Sequence, residues 1–167
     1  MQNKKLNICH IITRMIVGGA QENTLLSVIG LADKGHKVTL LTGPSDGPEG
    51  QLLLKNKELF NSNKNIQIIE TPFLVREISP IKDIKAYLYF KRFFLTHQFD
   101  VVHTHSSKAG IIGRFAAYNV GVPCVVHTIH GQVFHQYEKE WKNAIYIFSE
   151  KLAAKKCHKI FAVANAM

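Results

Sequence analysis

Short apolar runs and helical patterns alternate along this chain, with turn residues between them. Leu6–Ile12 reads as a strand, followed by a helix over Gly19–Ala32 that Lys34-Gly35 ends. Lys37–Leu41 is a second strand, closed by Gly43-Pro44, and a loop through Gly47, Pro48 and Gly50 leads to a helix near Gln51–Phe60. Ile66–Ile69 is a short third strand, and Pro72–Pro80 is a long connection into a helix over Ile81–His97. Val101–Thr104, Cys124–Thr128 and Lys159–Val163 complete the strands, separated by helices over Ser107–Val120 and Lys139–Lys156. Regular alternation of strand and helix implies a parallel sheet with helices on both faces. The strands are apolar throughout rather than at every second residue, as expected when both sheet faces are covered. The predicted class is α/β: a Rossmann-like three-layer sandwich around a mostly parallel sheet.

Helical spacing also predicts faces. Trp141, Ile145, Phe148 and Leu152 give the last helix one apolar face, with Glu138 and Glu140 at its start and Lys151, Lys155 and Lys156 at its end, as the helix dipole favours. Ile84, Tyr87, Leu88 and Leu95 are the expected core face of the helix over Ile81–His97. Lys82, Lys85 and Arg92 cluster on another side with Tyr89, bordered by Phe93, a basic and aromatic face suited either to an anionic lipid surface or to solvent.

Length and composition narrow the picture. A chain of 167 residues, 46% hydrophobic and 20% charged, suits a single globular domain. No apolar run approaches the roughly 20 residues of a membrane span. The short run after MQNKK lacks a small-residue cleavage site and reads as the first strand, not a signal sequence. The chain stops at Ala166-Met167, just past a strand that reads as buried, so a longer protein is expected. Cys9, Cys124 and Cys157 are odd in number and widely spaced, which fits free thiols in a reducing cytoplasm. The net charge of +9 attracts polyanions or phosphorylated small molecules. Nucleic acid is disfavoured, because the basic residues are dispersed and no nucleic-acid motif is present.

Ligands of an open parallel sheet bind beyond the carboxyl ends of its strands, so the chemistry is sought in those loops. The first, Thr13 to Gln21, holds Gly18-Gly19 at the start of a helix, where free N–H groups favour an anion or simply permit a tight turn. It is neither a P-loop nor a dinucleotide fingerprint, and the second strand ends at Leu41-Thr42-Gly43 without the carboxylate that would hold an NAD ribose. After the fourth strand come His103-Thr104-His105-Ser106-Ser107-Lys108, with Ser106 or Ser107 a natural N-cap and Ala109–Gly113 small enough to pack close to the sheet. His103 reads best as structural; His105 and Lys108 stand equally as ligand-edge or structural residues. The fifth strand runs into His127-Thr128-Ile129-His130-Gly131, where His130 can serve as base or hydroxyl partner, or bond to backbone. Between Asp100 and Glu138 there is no Asp or Glu, while His103, His105, Lys108, Arg114, His127, His130 and His135 fall there. The edge is therefore expected to be polar to cationic, suited to phosphates and hydroxyls. Without a carboxylate the histidine spacing makes a poor metal site, and no metal is expected.

These loops carry a resemblance. Gly18-Gly-Ala-Gln21, His103-Thr-His-Ser-Ser-Lys-Ala-Gly110, Thr128-Ile-His-Gly131 followed by Phe134, and Lys159-Ile-Phe-Ala-Val-Ala-Asn165 together resemble, in order, the retaining glycosyltransferase family 4. The resemblance implies the N-terminal, acceptor-binding half of a GT-B enzyme, residues 1–167, with a C-terminal domain absent from this chain that binds most of a nucleotide-diphosphate sugar. It implies hexose transfer in capsule or lipopolysaccharide synthesis, to a glycan or lipid-linked acceptor, without a metal or other cofactor. By position, His130 would be the active-site histidine, Gly18 and Gly19 would approach the donor phosphates, and Gln21, His105, Lys108 and Gly131 would line the acceptor side. Lys82, Lys85, Tyr89, Arg92 and Phe93 would face the inner surface of the plasma membrane. A non-catalytic docking subunit that needs a separate donor domain is the alternative. The family's donor-site signature, Glu-x7-Glu, has no counterpart here.

Overall fold

The computed structural model describes residues 4–45, 51–131 and 140–163. The expected positions in 46–50, Glu138, His135 and residues 164–167 lie outside the described residues. The elements follow in the order β1 (Asn7–Ile12), α1 (Gly19–Asp33), β2 (Lys37–Thr42), α2 (Leu52–Lys55), α3 (Lys57–Ser62), β3 (Ile66–Glu70), α4 (Pro80–His97), β4 (Val101–His105), α5 (Ser107–Asn119), β5 (Cys124–Ile129), α6 (Glu140–Ala154) and β6 (Lys159–Ala162). The strands form one parallel sheet in the order β3-β2-β1-β4-β5-β6. The expected helix near Gln51–Phe60 is broken at Asn56, whose side-chain amide donates to the Leu52 carbonyl at 2.8 Å.

Alternate residues of the inner strands feed two cores. Cys9 and Ile11 of β1 pack with Val102, Val125, the α4 phenylalanines Phe90, Phe93 and Phe94, and Ala109, Ala116 and Ala117 of α5. Ile12, Val38 and Leu40 point the other way, onto Leu25, Val28 and Ala32 of α1. Close approach of α5 is bought by its glycines: a Cβ on Gly110 would meet His127 Cε1 at 2.6 Å, and one on Gly113 would meet Thr104 Cγ2 at 2.8 Å. The sheet reverses its winding between β1 and β4, which places the ligand edge at the ends of those strands and of β5.

Three expected faces are corrected. Helix α4 buries Ala86, Phe90, Phe93 and Phe94, whereas Ile84, Leu88 and Leu95 are exposed. The helix carries apolar residues on two sides, and the bulkier aromatic side fills the core. Helix α6 turns Trp141, Ile145, Phe148 and Leu152 outward and buries only Ala153 among its residues, because it leans on α5 through its other side. Strand β6 is exposed at every position as the sheet's outer strand, not buried.

Candidate active site at the switch point of the sheet

The β1–α1 and β4–α5 turns meet at the reversal point. Ser106 holds φ 57° and ψ 155°, a left-handed conformation that costs a non-glycine residue about 1–3 kcal/mol and collects at functional sites. Contrary to the expectation of a serine cap, its hydroxyl does not cap α5; it bonds the Thr13 hydroxyl at 2.7 Å and accepts from the Thr13 N–H at 3.3 Å. The turn is thus tied to β1 rather than to its own helix. Gly18, the N-cap of α1, likewise makes no side-chain cap. Both helices therefore begin with N–H groups that no capping side chain satisfies, the arrangement that favours an anion. A Cβ on Gly18 would meet Gln21 Oε1 at 2.8 Å, while one on Gly19 would meet nothing within 4 Å. Gln21 folds back over Gly18, and the space beside Gly19 is open.

A cleft of about 510 Å³ opens on this edge, bounded by Ala20 of α1, Ser106 and Ser107 at the start of α5, His127 to Gly131 at the end of β5, and Glu150 and Ala154 of α6. His130 and Gly131 stand on it. His105 does not: it is fully buried beneath His130, so the expectation that it lines an acceptor pocket is corrected. Its Nδ1 instead pairs with His130 Nε2 at 2.9 Å, and its Nε2 with His10 Nδ1 at 3.0 Å. His10, in register with His103 across the β1–β4 pair, is also fully buried. His103 bonds the Thr128 hydroxyl at 2.7 Å, and its ring centre lies 4.2 Å from that of His105. His127 faces the α5 side, where Nδ1 donates to the Thr104 carbonyl at 3.0 Å.

Lys108 is also placed differently from the expectation. Its ammonium is held by Asp83 of α4 at 2.6 Å and by the Glu77 carbonyl, so it braces α4 against α5 rather than lining the cleft. Arg114, fully buried, donates to the Gly110 carbonyl and pairs with Glu150 of α6 at 2.5 Å. Carboxylates distant in sequence thus neutralise both cations, and the edge is less cationic than the sequence suggested.

The imidazoles are neutral for a separate reason. Burial pushes His103 down to about 4 and His127 to about 3, with charge from His130 and Arg114 respectively adding to it. Burial likewise holds His10 and His105 well below the usual imidazole range and lowers His130. The ring nitrogens of His10, His103 and His105 lie within 4.8 Å of one another, close enough to suggest a metal. His105, engaged at both ring nitrogens, could take one only by giving up its bond to His10 or its bond to His130.

On α4, Lys82, Lys85 and Arg92 are exposed as expected. Phe93 is 7% exposed and belongs to the core, and Tyr89 is half-buried and stacked on it at 5.9 Å, so Phe93 leaves the proposed membrane face. The apolar residues that do share the outer side with the basic ones are Ile81, Ile84, Leu88 and Leu95.

Residues 17–167 match the family description Glycosyltransferase Family 4. The chain belongs to glycosyltransferase family 4. A UDP-Gal:alpha-D-GlcNAc-diphosphoundecaprenol alpha-1,3-galactosyltransferase of Escherichia coli is 32% identical over 163 residues, which are 98% of this chain and 40% of that protein. A 41.2 kDa protein in a cps region of Klebsiella pneumoniae is 34% identical over 162 residues, 94% of this chain and 40% of the relative. The chain therefore spans about 40% of the length of these curated relatives. A glycosyltransferase structure from Rickettsia africae superposes with TM-score 0.63 at 19% identity, over 98% of this chain and 38% of that one. The family 4 chain has the fold of one half of a GT-B enzyme.

Proposed function

We propose that this chain is the acceptor-side domain of a retaining, metal-independent glycosyltransferase. The enzyme would move a hexose from a nucleotide-diphosphate sugar to a lipid-linked glycan in bacterial surface polysaccharide synthesis. One juxtaposition carries the reading: two helix starts without side-chain caps and a neutral His130 open onto the same cleft. N–H groups at Gly19 and at the start of α5 suit donor phosphates, and an imidazole that keeps its lone pair suits a sugar hydroxyl. Gln21 and Gly131 would border the acceptor. The E. coli relative, named for a UDP-galactose donor and a GlcNAc-diphosphoundecaprenol acceptor, and the cps-region setting of the Klebsiella relative support the substrate class.

In this reading a second domain, outside this chain, holds most of the donor and covers apolar residues now exposed on α6 and β6, Trp141, Phe148 and Phe161 among them. No helix of the described residues is long and apolar enough to cross a membrane. Access to a lipid-linked acceptor would come from α4, whose outer side joins Ile81, Ile84 and Leu88 to Lys82, Lys85 and Arg92 at an anionic cytoplasmic surface.

The test is an assay of the full-length protein with UDP-galactose and other nucleotide hexoses, on N-acetylglucosamine diphosphate carried by a short polyprenol. Mass spectrometry is expected to find the hexosylated acceptor, with or without chelator, and to find none with residues 1–167 alone. Failure of the full-length protein with every donor would reject the reading.

A further inference from the structure

The buried histidines form a column that ends at the cleft. His10 Nδ1 faces His105 Nε2 at 3.0 Å, and His105 Nδ1 faces His130 Nε2 at 2.9 Å. Each contact joins two ring nitrogens, so each holds one proton. A neutral imidazole carries one N–H and one lone pair. Suppose the proton of His105 is on Nε2. It then donates to a bare His10 Nδ1, so His10 is protonated on Nε2. His105 Nδ1 is bare and accepts from His130 Nε2–H. Suppose instead that it is on Nδ1. Every proton in the column is then on Nδ1. No mixed arrangement keeps both contacts as hydrogen bonds, so His10, His105 and His130 share one tautomer.

We propose that His10, acting through His105, is a positioning residue that sets the tautomer of His130 and so decides whether His130 Nδ1 meets a sugar hydroxyl as acceptor or as donor. The proposal rests on the reading of His130 as the cleft residue that meets substrate. His130 Nε2 is occupied by His105, which leaves Nδ1 as the ring nitrogen open to a ligand.

The inner end of the column makes it a lock rather than a wire. His10 is fully buried, and its Nε2 has no hydrogen-bond partner among the described residues. A proton entering at His130 Nδ1 would have to leave at His10 Nε2, and no described residue receives it there. A proton taken at His130 Nδ1 therefore has no exit through the column and returns by way of the cleft. The lock needs neutral rings. Burial supplies that condition for all three, and His103 and His127, which also face His105, act in the same direction. A histidine in an apolar strand is ordinarily a packed core residue; His10 differs in being bonded end-on to the column that surfaces at His130.

The tautomers can be read directly. In the full-length protein with 15N-labelled histidine, long-range 1H–15N correlation spectra assign the protonated nitrogen of each ring. The same nitrogen is expected to be protonated in His10, His105 and His130; a mixed pattern overturns the proposal, as does zinc bound stoichiometrically to these rings. In His10→Gln the column loses its fixed end. His130 should then become a mixture of tautomers, and kcat should fall about 10-fold or more with KM changed less than about 2-fold. An unchanged His130 spectrum in that variant overturns the proposal. Because the spectra need no activity, they stand apart from the assignment of His130, which fails if His130→Ala keeps full transfer.

Discussion

Strands β1 and β6 are both short apolar runs, Asn-Ile-Cys-His-Ile-Ile and Lys-Ile-Phe-Ala, yet β1 is buried at five of its six positions and β6 is exposed at all four. The first lies mid-sheet between helices packed on both sides, and the second is the outermost strand, preceded by a helix that leaves Trp141 and Phe148 exposed. An apolar run therefore specifies a strand without specifying what covers it. Helix α4 makes the same contrast within one element. Its Phe90 side is sealed in the core, and its Leu88 side is 57% exposed.

That contrast predicts a graded set of effects. Phe90→Ala should be the most damaging, costing about 3–5 kcal/mol in denaturant unfolding, as for other buried aromatics. Reversing Lys82, Lys85 and Arg92 together to Glu should cost little stability. It should weaken cosedimentation with anionic vesicles by about 3 kcal/mol, roughly a hundredfold, if each cation contributes about 1 kcal/mol. No binding by the unmodified protein to vesicles with or without anionic lipid would remove the membrane role of α4.

Acid should separate the buried histidine edge from the exposed helices more gently. The folded-state pKa values of His103 and His127 are depressed to about 4 and about 3 from the ordinary 6.5, so the unfolded chain takes up protons first. Stability is complete above about 6.5 and falls as pH drops toward those values, by at most about 1.4 kcal/mol per pH unit for each group. Thr128→Val, which removes the hydroxyl bonded to His103, should alter the His103 share of this slope and leave that of His127 in place. The smallest effect belongs to the exposed side of α4: Leu88→Ser should change stability by less than about 0.5 kcal/mol.

Much of the fold was legible because its punctuation is chemical. Gly43-Pro44, Gly121 and Pro123 bound the runs that became β2 and β5, and small residues at Gly110 and Gly113 announced the close packing of α5. The inward face of α4 was not legible, because Ile84/Leu88 and Phe90/Phe94 both satisfy helical spacing and only the neighbouring elements choose between them. Lys108 and Arg114 read as free cations because their partners, Asp83 and Glu150, come from other helices. His10 gave no signal of its own. A single histidine inside Asn7–Ile12 resembles any core residue until parallel pairing sets it beside His103, and no sequence spacing reveals that register. His130, by contrast, was visible as a strand-end histidine before a glycine, and that is where the cleft lies.

The central claim is that His130 is the reacting-side residue of a sugar-transfer site. The direct measurement is hexose transfer by the full-length protein and its His130→Ala variant, on the same polyprenyl-diphosphate acceptor, with unfolding curves confirming that the variant is folded. The account predicts a fall in kcat of about 100-fold or more, within the range for loss of an acid–base or hydroxyl-positioning group. A folded variant that transfers at the unmodified rate would contradict it.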